Sequence, residues 1–241
     1  MADSSTGPGV AAPKQERSKQ TKEKIVQAAI KLFQERGYEK TTSNEIAAEA
    51  GVSVGSFYVY FTDKRSLLLT IFDRLADDLY KVVFDGLNAE HLFDSELRPK
   101  IKQAIAKAIE DKQRRSGLHK VIYELVLKDQ EFSARHKAIM ERSNSKLREL
   151  ISLAHAAELT WDIDVEAAAF LVQRVVFDLS QDYVTGCCEF DLRRAIDGLT
   201  DMIQRFVFKP AATTQADTAK TETKSTGTEA AGAPTEGASD S

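Results

Sequence analysis

Between Val54 and Phe61 the chain sets small, β-branched and aromatic side chains side by side with no charge among them: Val54, Gly55, Ser56, Phe57, Tyr58, Val59, Tyr60, Phe61. On a helix, Phe57 and Phe61 stand four apart and share one face, where they can plug a core. That leaves Val54, Gly55, Ser56, Tyr58, Val59 and, obliquely, Tyr60 pointing outward. An uncharged outward face is odd for a solvated helix and suits one pressed against nucleic-acid bases. Gly55 permits close backbone approach, Ser56 can donate or accept at a base edge, and Val54 and Val59 can touch thymine methyls. The Tyr58 and Tyr60 hydroxyls can donate to phosphate oxygens, and Lys64 adds a neutralising charge just beyond. Thr42 and Ser53, at two helix starts, complete the candidate DNA-binding set.

The elements that position these side chains are legible too. Thr42 and Glu45 have capping-box spacing, Ile46, Ala47 and Ala50 mark one inward face, and Gly51 suits the left-handed residue that stops a helix. Ser53 then caps a second short helix. Residues 42–61 therefore predict a helix-turn-helix, the unit that enters a major groove. The other reading is a small packing unit with aromatic core residues. Upstream, Ile25, Ala28, Ala29, Leu32 and Phe33 follow an i, i+3, i+4, i+7, i+8 stripe that Gly37 ends. Ahead of that helix an arm carries Lys14, Arg17, Lys19, Lys22 and Lys24 against Glu16 and Glu23. It is read either as a phosphate-contacting helper or as a solubilising leader.

Residues from about 18 to 78 resemble the DNA-binding domain of the TetR/AcrR family of bacterial transcriptional regulators. The resemblance rests on Ile25, Ala28, Ala29, Leu32, Phe33, Gly37, Thr41-Thr42, Ile46-Ala47 and Ala50-Gly51-Val52-Ser53, with Gly55, Tyr58, Phe61, Lys64 and Leu67. Val59 stands where the family often has tyrosine, and Tyr60 where it often has histidine. The resemblance implies an all-α protein: an N-terminal three-helix DNA-binding domain and a larger C-terminal helical domain that binds a ligand and dimerises. It also implies a small-molecule effector whose binding shifts the helix leading to the reader.

Composition sets off a polar tail over 1–13 and a second tail over 209–241 without large apolar side chains to bury; between them the resemblance implies a DNA-binding domain over 14–78 and a helical domain over 79–208. The net charge of −4 looks hostile to nucleic acid until it is located. Residues 14–74 hold eleven basic against eight acidic side chains, whereas 210–241 hold two basic against five acidic. A local basic excess is what matters for a nucleic-acid footprint. No apolar run is long enough for a membrane span and no hydrophobic leader opens the chain, so a cytoplasmic protein is expected. Cys187 and Cys188 are adjacent and imply no disulfide framework. The histidines His91, His119, His136 and His155 lack zinc-ligand spacing. With neither a phosphate-cradling loop nor a nucleophile elbow, no catalytic residue, metal or cofactor is assigned.

From Thr62 to Phe208 the periodicity is helical. Thr62 or Asp63 caps a helix with the stripe Leu68, Ile71, Phe72, Leu75, Leu79, and further helices are predicted over about 97–115, 117–128, 130–157, 164–185 and 191–208. Leu192, Ile196, Leu199, Ile203 and Phe206 alternate spacings of four and three, an a/d seam. Either the seam pairs with its copy, giving a homodimer through helices 164–185 and 191–208, or it closes the subunit's own core; the homodimer is the expectation. Phe93, His119, Tyr123, His136, Trp161 and Tyr183 are polar or aromatic candidates for a pocket wall, none singled out. The resulting expectation is a DNA-binding repressor, released from a palindromic operator by a small ligand. The alternative is a DNA-bound interaction protein that works through a protein partner.

Overall fold

The computed structural model describes residues 14–87 and 97–210, and among them every regular element is a helix. In chain order these are α1 (Lys14–Arg36), α2 (Ser43–Glu49), α3 (Val54–Tyr60), α4 (Lys64–Phe84), α5 (Leu97–Arg114), α6 (Ser116–Lys128), α7 (Gln130–Ala156), α8 (Val165–Thr185) and α9 (Leu192–Val207). Thr160 and Phe208 add one isolated antiparallel bridge. Phe93 and His91 lie outside the described residues, as do 1–13 and 211–241.

Local chemistry sets most boundaries. Gly37 and Gly51 take positive φ, +84° and +66°, where a side chain would strain the backbone. Asp63, Asp129, Asp164 and Asp191 each cap the following helix through a carboxylate that accepts from its first-turn amides. One expectation fails at the N-terminus. The basic segment read as an arm ahead of the first helix is itself helical from Lys14 onward. The reason is propensity: residues 14–24 contain neither glycine nor proline and are rich in lysine, glutamate and glutamine. A second boundary moves by one residue, since α6 begins at Ser116 and takes Gly117 into its first turn.

Two hydrophobic clusters hold the helices together. One gathers Ile25, Leu32, Ile46, Phe57, Leu67 and Ile71 from α1–α4 and reaches Leu118 and Ile122 of α6 and Phe132 of α7. The other joins Ile105 and Ile109 of α5 with Ile151 of α7, Ala168 and Val172 of α8, and Ile196, Leu199 and Ile203 of α9. The long α4 serves both regions and crosses the expected junction near residue 78. Here the a/d seam is corrected. Ile196, Leu199 and Ile203 are buried against α5 and α8 of their own subunit, so this part of the seam closes an internal core, while Phe206 stays exposed. The apolar side chains that α8 and α9 leave exposed are Phe170, Leu171, Val175 and Met202, together with Phe206 at the end of the seam.

Candidate nucleic-acid interface and interior cavity

The reader is built from its caps upward. Thr42 Oγ1 accepts from the Glu45 amide at 3.3 Å, and Glu45 Oε2 accepts from the Thr42 amide at 2.8 Å, so the capping box is closed. Bonds from the Thr42 amide and then the Thr42 hydroxyl hold the Glu45 carboxyl below its usual range. Buried Thr41 donates its hydroxyl to the Gly37 carbonyl at 2.8 Å, tying the turn to the end of α1. Ser53 Oγ accepts from the Ser56 amide at 3.0 Å and starts α3. Removing the α2 cap with Thr42→Ala should lower stability by about 1 kcal/mol, seen as a reduced urea midpoint at unchanged slope. An unchanged midpoint would mean Glu45 alone orders that turn.

On α3, Phe57 is fully buried and Phe61 nearly so, with ring centroids 5.9 Å apart. The opposite face carries Val54, Gly55, Tyr58 and Val59 into solvent, Val59 at 78% and Tyr58 at 54% exposure. A helix of seven residues that exposes this much apolar surface and no charge is not arranged for water alone. Ser56 is half-buried, and its hydroxyl lies 2.8 Å from Ser53 Oγ inside the cap.

Two members of the predicted set are placed differently from expectation. Tyr60 is half-buried and donates its phenol to Ser18 Oγ at 3.2 Å, pinning α3 to α1 instead of presenting the hydroxyl outward. Lys64 turns inward, donating to the Tyr38 carbonyl at 2.6 Å and the Glu39 carbonyl at 3.4 Å, with its ammonium 4.1 Å from the Tyr38 ring centroid. The carbonyls at the α1–α2 turn need donors, and Lys64 supplies them. Beside this face, Arg17, Lys19, Lys22 and Lys24 lie exposed along α1.

Polar contacts connect the reader's last helix to the rest of the molecule. Arg65, in the first turn of α4, bonds both oxygens of Asp129 at 2.7 and 2.9 Å and Glu131 at 2.9 Å. This guanidinium holds the Asp129 carboxyl down to about 2. Farther along α4, Asp73 and Asp77 pair with Arg135 and Arg142 of α7, and Phe72 stacks on Phe132 at 6.0 Å.

Beyond those pairs, α4 and α5 line a cavity of about 270 Å³ whose other walls come from α6, α7, α8 and α9. His119, Tyr123 and His136 lie in its wall; Trp161 and Tyr183 do not. The Trp161 indole instead donates to the Arg205 carbonyl at 3.1 Å, and the Tyr183 hydroxyl to the Phe190 carbonyl at 2.7 Å. Sequence reasoning passed over Lys112, which lines the cavity and is buried. A signal for it existed: Ile101, Ile105, Ala108 and Lys112 fall on one inward stripe, so the lysine occupies a core position.

The model of the bacterial regulatory proteins of the tetR family matches residues 25–71, from within α1 to within α4. Residues 25–71 thus carry a TetR-type DNA-binding domain. Over 62 residues it is 39% identical to the uncharacterised regulator YuxN of Bacillus subtilis (strain 168), an alignment covering 26% of this chain and 21% of that protein. With the transcriptional repressor BepR of Brucella suis biovar 1 (strain 1330) it shares 23% identity over 185 residues, 72% of this chain and 85% of the other. The likeness of fold extends beyond that domain into the C-terminal helices. A crystal structure of a protein described as a TetR-family regulator from Mesorhizobium loti MAFF303099 superposes with a TM-score of 0.68 at 19% identity, covering 80% of this chain and 99% of that one. These relatives are regulators, not enzymes. Among the described residues no helix is long and apolar enough to cross a membrane.

Proposed function

We propose that this TetR-family chain is a cytoplasmic homodimeric repressor that holds a palindromic operator and leaves it when a small molecule fills the cavity. The observation carrying this reading is the face of α3: Val54, Gly55, Tyr58 and Val59 are exposed on a helix without charge. Val54 and Val59 meet thymine methyls, Gly55 lets the backbone come close, and Ser56 reaches a base edge from its cap. Tyr58 donates to a phosphate, and the exposed lysines and arginine of α1 neutralise others. Thr42 and Ser53 order the first turns beside the backbone, while Tyr60 and Lys64 act as struts that fix the tilt of α3. Two copies joined through α8 and α9 set their α3 helices into successive major grooves about 34–36 Å apart. The repressor designation of BepR supports the sign of regulation. The ligand must bind the DNA-released conformation more tightly, or it moves nothing; α4, which borders the cavity and follows the reader, is the element it would move.

Selection of bound duplexes from a random pool at fixed physiological salt tests this. A two-fold symmetric consensus is expected. Enrichment of nothing by folded, dimeric protein would sink the reading. In the same assay Tyr58→Phe should weaken binding to every sequence alike, by about 0.5–1.5 kcal/mol for one lost hydrogen bond, with the consensus unchanged. A changed consensus would move Tyr58 from positioning to base reading.

A further inference from the structure

The cavity beside α4 is apolar on nearly every side, and Lys112 is the one charged side chain among its described lining residues. Lys112 is only 7% exposed. Its ammonium donates to Ser180 Oγ at 2.6 Å, approaches Gln181 Oε1 at 3.4 Å and stands 4.4 Å from the Phe177 ring centroid. All three partners are neutral. The acid whose charge acts on it, Asp178, is largely exposed and pairs with Arg174. A desolvated ammonium without a countercharge is costly to bury. That burial draws the Lys112 pKa down to about 8, which still leaves it mostly cationic at neutral pH.

Two more polar groups in the same wall are unspent. His119 Nε2 and His136 Nε2 are buried and have no hydrogen-bond partner. Such atoms are rare in folded proteins and call for an explanation. Both imidazoles feel the Lys112 charge, and the His136 ring lies 5.5 Å from the same Phe177 ring that Lys112 covers. Burial, and then Lys112, hold His119 down to about 4 and lower His136 as well, so both are neutral. A neutral imidazole carrying its proton on Nε2 is a donor without the desolvation cost of a second cation.

We propose that this cavity binds an amphipathic monocarboxylic acid, its carboxylate paired with Lys112 and bonded by His119 and His136, its tail lying along the apolar walls of α4 and α5. The inference rests on the effector reading above and names the ligand class. Size limits the tail. A volume of 270 Å³, at about 30 Å³ per water-sized group, admits about nine or ten heavy atoms. Octanoate has that size. Its near-isostere octanamide keeps the tail and removes the charge, and octylammonium reverses it.

Calorimetric titration of the full chain with octanoate, octanamide and octylammonium tests the acid. Octanoate should bind about 10- to 100-fold tighter than octanamide, the worth of one charge-assisted contact, and octylammonium should not bind. Lys112→Met, which removes the charge and keeps the length, should abolish the difference between acid and amide. Equal binding of acid and amide, absence of octanoate binding, or a preference that survives in Lys112→Met would each overturn the proposal; the wild-type comparison stands even if the variant folds poorly. Duplex binding is measured in parallel to separate the two readings. Release of DNA by octanamide as readily as by octanoate would leave the effector reading intact and remove the acid. Tight, Lys112-dependent octanoate binding with no change in duplex affinity would keep the acid site and remove the effector role.

Discussion

Phe57→Ala should cost about 3–5 kcal/mol, the range for emptying a fully buried aromatic site, and abolish duplex binding by loosening the reader. Phe57 has no exposed surface and sits at the meeting of α1, α2, α3 and α4, with its ring edge-on to Tyr58 at 5.3 Å and tilted against Phe61 at 5.9 Å. Both α2 and α3 have seven residues, well under the length at which a helix holds in isolation, so their order comes from packing. Removing the central ring takes that packing away at a stroke. The loss is a large share of the about 5–15 kcal/mol that a domain has in total. Urea unfolding should show the drop in midpoint. Amide exchange should show lost protection concentrated in α2 and α3, while α8, in the other cluster, keeps its own. Phe57→Leu, which keeps most of the volume, should cost less than about 1.5 kcal/mol and retain binding. A Phe57→Ala protein within about 0.5 kcal/mol of the parent would refute the central role given to this ring.

What the sequence disclosed and what it hid divide along one physical line. The caps at Thr42, Ser53 and Asp63, the capping box with Glu45 and the stops at Gly37 and Gly51 are contacts within a few residues, and spacing alone reveals them. The buried faces of α1 and α4 follow from periodicity for the same reason. Contacts between distant residues were not visible. Tyr60 reaches Ser18, forty-two positions away, and Lys64 reaches Tyr38, twenty-six away; nothing in the local pattern separates such struts from groups that face a ligand. The α9 seam was legible only in part. Spacings of four and three say that a helix buries that face, but not whether the partner is in the same subunit, and α5 and α8 take it here. Lys112 lay in plain view on an apolar stripe.

Placing a carboxylate in the exposed apolar face of α8 or α9, as Leu171→Glu or Phe206→Glu, should turn the dimer into a monomer and strip two-site DNA binding. Since Ile196, Leu199 and Ile203 are spent on the subunit's own core, the dimer proposed through α8 and α9 uses what these helices leave uncovered. Phe170 at 55% and Leu171 at 47% exposure lead that surface, joined by Val175, Met202 and Phe206. Clustered exposed apolar side chains mark interfaces, and homodimer interfaces are the more apolar kind. Gly198, on α9 between exposed turns, has no atom within 4 Å of where a Cβ would stand, so a partner helix can approach it closely. In a two-fold interface each substitution appears twice. With about 3–5 kcal/mol for each charge buried unpaired, the two copies together exceed the difference between nanomolar and micromolar dimers. Light scattering at micromolar protein should therefore report one chain mass. Affinity for a duplex with two half-sites should fall by about 10²–10⁴, the gain that linkage of two heads provides, while a single half-site binds as before. Val59→Glu, on the exposed face of α3, is the control: it should impair DNA binding and leave the dimer whole. Persistence of the dimer in both Leu171→Glu and Phe206→Glu would place the interface on another surface and detach the operator geometry from α8 and α9.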